Sequence, residues 1–186
     1  PQTTDCDGPA SINNNFTGKA SIGFPAATMI AATWNVDLAQ AFGAAIGKMA
    51  DEMGVSGWYA PAMNIHRSAF AGRNFEYYSE DPLLSGYIAC AAVVGAEKEG
   101  VYAYLKHFAL NDQETNRNAQ LCTWFNEQSA REIYFKPFEI CVKEGGAKAV
   151  MTAFNFYGTE PAGASSAMLN DVLRGEWGFD GFALTD

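Results

Sequence analysis

Short apolar runs, each followed by polar residues and then by a helical stretch, constrain this chain more than any other feature. The runs lie before Asp7 and over residues 57–62, 101–108, 147–154 and 181–185. Between the first two, Leu38, Phe42, Ala45, Ile46, Met49 and Met53 recur at helical spacing, with Asn35 as N-cap and Gly54 as stop. A second helix opens on Asp81-Pro82, where the missing proline N–H costs nothing, and ends before Gly100. A third is expected over 127–135, broken or kinked by Pro137, and a short fourth over 166–173 with Ser166 as cap. Polar loops fill 64–80 and 111–118. About four or five strand–helix units predict a parallel sheet joined by crossovers. The fold class is therefore α/β, and a doubly wound sheet and an eight-stranded barrel both satisfy the pattern. No Gly-rich phosphate loop follows the first strand, which counts against a nucleotide-binding version.

The length of 186 residues allows one domain, and 48% hydrophobic residues suffice for a packed core. Disorder is thereby excluded. No apolar run reaches ~18 residues, so no membrane partner is expected, and no signal peptide is read. A net charge of −9 lacks the basic footprint of a nucleic-acid binder. Cys6, Cys90, Cys122 and Cys141 form no C-x-x-C pair and are expected as buried thiols, which suits a reducing, cytoplasmic setting better than secretion. With two His and no H-x-H or H-E-x-x-H pattern, no metal or other cofactor is expected.

Polar residues collect just after the apolar runs: Asp7; Asn64, His66, Arg67 and Arg73; Lys106, His107 and Arg117; Asn155; Asp186. Each has an ordinary explanation when taken alone. Asp7-Gly8-Pro9 is turn chemistry, Arg73 can pair with Glu76 or Glu80, and His107 can be a satisfied core histidine. Lys106 is harder to dismiss, because lysine is almost never buried without a partner; Asp7 or Asp186 could supply one. Asp186 closes an apolar strand, where a carboxylate is costly unless paired or hydrogen-bonded. In a barrel the strand C-terminal ends share one face, so these segments would converge on one pocket. Such a set of donors and acceptors suits a neutral polyhydroxylated ligand. Sugar hydrolysis uses a carboxylate pair.

The segments Asp7-Gly8-Pro9-Ala10, Ala60-Pro61-Ala62-Met63-Asn64-Ile65-His66-Arg67 with Gly72-Arg73-Asn74-Phe75-Glu76-Tyr77-Tyr78-Ser79-Glu80-Asp81-Pro82, Lys106-His107-Phe108-Ala109-Leu110-Asn111-Asp112-Gln113-Glu114, and Leu173-Arg174-Gly175-Glu176-Trp177-Gly178-Phe179-Asp180-Gly181-Phe182 through Asp186 resemble, in order, the motifs of glycoside hydrolase family 3. The chain resembles the N-terminal barrel domain of the β-glucosidase branch over nearly all its length. The resemblance implies part of a (β/α)8 TIM-type barrel acting as a retaining, exo-acting β-glucosidase by double displacement. Asp186 would be the nucleophile. Asp7, Arg73, Lys106 and His107 would bind sugar hydroxyls, with Met151 near the same subsite. Lys106, Arg73 and local donors would keep Asp186 ionised. The two catalytic carboxyls would stand about 5–5.5 Å apart.

Three positions depart from the family pattern. Phe154 stands where a Tyr is common, so a hydroxyl near the nucleophile is missing unless Tyr157 supplies it. Asn13 stands where some members carry Arg. No residue maps to the general acid/base, which in this family lies in a later domain. The stretch Asn111 to Glu114 does not resemble the His-containing loop of the N-acetylglucosamine-cleaving branch, so a glucoside is favoured. About five units cannot close a barrel that typically takes ~250 residues. Residues 1–186 are thus expected to be one part of a barrel domain cut at both ends, with further domains outside. The expected partners are a β-glucoside or oligosaccharide, the rest of the barrel, and a second domain carrying the acid/base; homo-oligomerisation is left open. A β-xylosidase of the same family, a carbohydrate-binding barrel without turnover, and a metal-dependent hydrolase are the alternatives.

Overall fold

The computed structural model describes residues 3–14, 18–119 and 121–186. The main sheet has five strands: β1 (Asp5–Cys6), β2 (Gly57–Trp58), β3 (Tyr102–Phe108), β4 (Ala149–Thr152) and β5 (Phe182–Leu184). All neighbours are parallel, and their order across the sheet is their order along the chain. That order separates the two architectures left open by the sequence. A doubly wound sheet reverses direction at a switch point and alternates its helices between two faces. Here α1 (Ala27–Ala32) and α2 (Val36–Glu52) follow β1, α3 (Pro82–Lys98) follows β2, and α4 (Lys136–Lys143) follows β3. Helix α2 packs on α3 and α3 on α4, so consecutive crossovers share one face. This is part of a (β/α)8 barrel.

The helix boundaries follow from capping. The Asn35 side chain accepts from Leu38 N at 3.0 Å, and Gly54 leaves α2 with φ +70°. Asp81 accepts from Leu83 N and Leu84 N, both at 2.8 Å, with Pro82 in the first turn of α3. Two expectations need correction. Residues 127–135 form one α-turn, Glu127–Ser129, continued as a π-wound turn, Ala130–Tyr134; Pro137 then lies in the first turn of α4 rather than inside a helix. The last helix is also π-wound and runs over Ala167–Glu176, past Leu173. Ser166 makes no side-chain cap there; its hydroxyl accepts from Asn170 Nδ2 at 3.1 Å.

The core lies between sheet and helices around Trp58, Phe108, Phe138 and Leu173, with the rings of Phe108 and Phe138 5.2 Å apart. Buried small residues of α3 let it approach α2 closely. A Cβ at Gly95 would overlap the main-chain carbonyl oxygen of Gln40. Helix propensity favours Ala over Gly by about 1 kcal/mol, but main chain cannot yield as a flexible side chain can. Gly95→Ala is therefore expected to destabilise the full-length protein by about 1–3 kcal/mol, measured as a lower urea midpoint with unchanged slope.

Cys6, Cys90 and Cys141 are buried thiols, as expected. Cys122 is exposed, because it sits on a small outlying sheet formed by Cys122–Thr123, Phe156–Tyr157 and Glu160–Pro161. Among the described residues, no helix is long and apolar enough to cross a membrane.

Candidate active site

The C-terminal ends of all five main strands open on one cleft of about 540 Å3. Asp7 follows β1, Tyr59 follows β2, Lys106 and His107 end β3, Met151 lies in β4, and Thr185 and Asp186 follow β5. Arg73, Glu114 and Arg117 reach in from the loops after β2 and β3.

Local structure explains each placement. The loop after β1 is pinned to the core by the Trp58 indole N–H, which donates to Gly8 O at 2.8 Å. Gly8 has φ +119°, and a Cβ there would overlap the Ser11 carbonyl oxygen, so only glycine fits this turn. Regular alternation would send Lys106 and His107 to opposite faces of the sheet. However, Leu105 pairs with Val150 and Phe108 with Thr152, so β3 carries one residue more than β4 over that interval. The bulge lets two consecutive side chains face the cleft. The Lys106–His107 and Phe108–Ala109 peptides are cis. Asn64 clamps the main chain of His107: its Oδ1 accepts from His107 N and its Nδ2 donates to His107 O, both at 2.9 Å.

The charges are arranged unequally. Lys106, with a side chain only 4% exposed, donates from Nζ to Asp7 Oδ1 at 2.9 Å, while the Asp7 side chain is 67% exposed on the rim. Burial by itself would raise the Asp7 pKa, but the Lys106 ammonium and the Gly8 N–H outweigh it and hold the carboxyl below its usual value. Arg73 pairs with Glu76 and lies 3.6 Å from Glu114. Arg117 Nε donates to Glu114 Oε2 at 2.8 Å, its guanidinium stacks 4.5 Å from the Phe154 ring, and Nη1 stands 3.5 Å from Asp186 Oδ2. That Nη1 is buried without a hydrogen-bond partner among the described residues. His107 Nε2 stands 3.8 Å from the same Asp186 oxygen. Burial, then Arg73, Lys106 and Arg117, push the His107 pKa well below its ordinary value, so the ring is neutral.

Two opposing effects act on Asp186. Arg117, Arg73 and Lys106 do favour its charge, yet burial outweighs them and its pKa is raised. The side chain is 22% exposed. The outcome is a partly desolvated carboxylate that is more basic than a solvated one.

Of the residues singled out in the sequence, Asp7, Arg73, Lys106, His107, Met151 and Asp186 line the cleft together. Asn64 stands behind it. His66, Arg67 and Asn155 do not line it: His66 Nε2 meets Tyr77 O at 2.9 Å, Arg67 lies over the Tyr134 ring, and Asn155 donates to Thr123 Oγ1 at 3.1 Å. Tyr157 does not supply the missing hydroxyl, because its oxygen is buried and accepts from Ala109 N at 2.5 Å. Sequence reasoning left Tyr59 and Glu114 unassigned. Arg117 carried a signal, a cation in the loop after the Lys-His strand end, but no role.

Comparison with known proteins gives the same picture. The family model described as glycosyl hydrolase family 3 N terminal domain matches residues 13–186. The chain is 42% identical to β-glucosidase A of Butyrivibrio fibrisolvens, over 100% of this chain and 22% of that protein. It superposes with TM-score 0.94 on β-glucosidase 3B from Thermotoga neapolitana in complex with glucose, at 42% identity, covering 100% of this chain and 27% of that one. A β-glucosidase from Kluyveromyces marxianus in complex with glucose gives TM-score 0.95 at 34% identity, covering 99% and 22%. The chain thus spans about a fifth to a quarter of the length of these relatives. With a family model over nearly its whole length, the chain belongs to glycosyl hydrolase family 3.

Proposed function

We propose that this chain is part of the catalytic barrel of a retaining β-glucosidase that removes terminal, non-reducing β-D-glucosyl units with Asp186 as nucleophile. The observation that carries the reading is the setting of Asp186. It ends a barrel strand, partly desolvated, with Arg117 Nη1 at 3.5 Å and His107 Nε2 at 3.8 Å from one of its oxygens. A nucleophilic carboxylate must be ionised yet weakly hydrated, and this arrangement provides both.

The surrounding groups divide the work. Asp7 accepts hydrogen bonds only; Lys106, Arg73 and Arg117 donate only. Each sugar hydroxyl is both donor and acceptor, so it can bridge an acid and a base on the cleft wall. Attack of Asp186 on the anomeric carbon forms a glycosyl ester as the aglycone leaves. Water then hydrolyses that ester with overall retention. Hydroxyl contacts that tighten as the ring flattens lower the barrier of both steps. The remaining barrel strands and a second domain, which brings the general acid/base, complete the site. Named relatives and glucose complexes of similar barrels support glucose as the sugar.

The test is trapping with a 2-deoxy-2-fluoro-β-glucoside on the full-length enzyme, followed by peptide mass spectrometry. Label on the peptide containing Asp186 is the expected result. Hydrolysis of glucosides without a label there sinks the nucleophile assignment, and the absence of both hydrolysis and label favours a binding protein.

A further inference from the structure

Behind the cleft, Tyr77 (1% exposed) and the fully buried Asn111 connect Glu114 to His107 through polar contacts. Asn111 Nδ2 lies 3.2 Å from Glu114 Oε1 and 3.0 Å from the Tyr77 hydroxyl oxygen, which lies 3.3 Å from His107 Nδ1.

Every link in this chain has a direction. A carboxylate can only accept, so the Asn111 atom facing Glu114 is its NH2 group. The second hydrogen of that group goes to the tyrosine oxygen. The phenol keeps its own hydrogen, since burial raises its pKa. With its oxygen accepting from Asn111, the hydroxyl donates to His107 Nδ1. That nitrogen is therefore an acceptor. The ring is neutral, so its single N–H is on Nε2, the nitrogen that faces the cleft.

The other tautomer would donate from Nδ1 to Asn64 Oδ1 at 3.3 Å. That oxygen already accepts the His107 backbone N–H at 2.9 Å. Choosing it would also strand the Tyr77 hydrogen against another N–H inside the protein. A buried donor without an acceptor costs more than an acceptor that takes one bond instead of two.

We propose that Tyr77 is a positioning residue: oriented by Glu114 through Asn111, it fixes His107 as the Nε2–H tautomer and makes it a hydrogen-bond donor to the sugar. The hydroxyl that meets His107 must then present a lone pair to it and is free to give its own hydrogen to a carboxylate. Only the identity of the ligand rests on the function proposed above; the tautomer does not.

The experiment is a long-range 1H–15N correlation spectrum of the full-length enzyme labelled with 15N-histidine, with His107 assigned by the signals lost in His107→Asn. The expected spectrum shows an unprotonated Nδ1 and a protonated Nε2. A protonated Nδ1 in the wild-type enzyme overturns the proposal outright, whatever any variant does. Tyr77→Phe removes one oxygen and is expected to move the ring toward the Nδ1–H form and to lower kcat/KM for glucosides about tenfold, the scale of one misaligned hydrogen bond. A Tyr77→Phe ring that stays wholly Nε2–H shows that Tyr77 does not set the tautomer. Failure of covalent trapping would leave these spectra unchanged, so the two readings fail separately.

Discussion

Asp186→Asn is expected to abolish glucoside hydrolysis while leaving the folded protein at least as stable as the wild type at neutral pH. The amide fills the same space but cannot form a glycosyl ester, so kcat/KM should fall on the order of 10^4-fold or more. The stability half follows from the raised pKa of the carboxyl. A group whose folded pKa lies above its unfolded value stabilises the fold fully below the unfolded pKa. That contribution is lost as pH rises through the folded pKa. At neutral pH the ionised, partly buried Asp186 is therefore a net cost, and asparagine relieves it. Thermal unfolding should show a Tm equal to or above wild type at pH 7, with no gain at a pH below the unfolded pKa. The wild-type acid limb of kcat/KM should lie above the range of a solvated aspartate, because the nucleophile must lose its proton. A variant that keeps glucosidase activity would rule out Asp186 as the nucleophile.

The second large effect is expected at Lys106. Its ammonium is nearly enclosed, yet its ion-pair partner, Asp7, stands exposed on the rim. That geometry leaves ammonium hydrogens for a ligand hydroxyl rather than spending all of them on the fold. Lys106→Met keeps the length of the side chain and removes the charge. A hydrogen bond to a charged group contributes about 1.5–3 kcal/mol, so kcat/KM should fall about 10- to 100-fold. Tm should change little, because Asp7, the carboxylate left behind, is 67% exposed and can be hydrated, so no unpaired charge is stranded in the interior. The ion pair depresses the Asp7 pKa, so its effect is present at neutral pH and lost as pH falls through that depressed value. Without the ammonium, Asp7 takes up its proton at higher pH, and the affinity for glucose should weaken at a higher pH than in the wild type. Isothermal titration with glucose across pH measures both changes. A large loss of Tm with unaltered glucose affinity would make Lys106 structural.

Much of this was legible in the sequence, for identifiable reasons. Asp81-Pro82 and Asn35 are local devices, and they cap helices as their chemistry requires. Lys106 in an apolar strand announced a buried partner, and Asp7 supplies it. Barrel geometry predicted that residues after separate strands would meet, and it holds for Asp7, Lys106, His107 and Asp186. It fails for His66, Arg67 and Asn155, since following a strand does not determine which way a loop side chain turns. The choice between barrel and doubly wound sheet depends on contacts between α2, α3 and α4, which no local pattern encodes. Winding of Ala130–Tyr134 and Ala167–Glu176 as π-helix likewise answers to packing, not propensity. The raised pKa of Asp186 was not legible, because nearby cations can be read from a sequence, whereas the depth of burial cannot.

The bond from the Trp58 indole to Gly8 O has a thermodynamic consequence for the whole cleft. Trp58 is fully buried, and the turn it holds carries Asp7, so the rim cannot loosen without disturbing the interior. Site and core then belong to one cooperative unit and should melt together. A sugar that binds only the native cleft must, by mass action, raise the unfolding free energy of that entire unit rather than quiet a single loop. Hydrogen exchange at amides deep in the sheet should therefore slow when glucose binds at the surface.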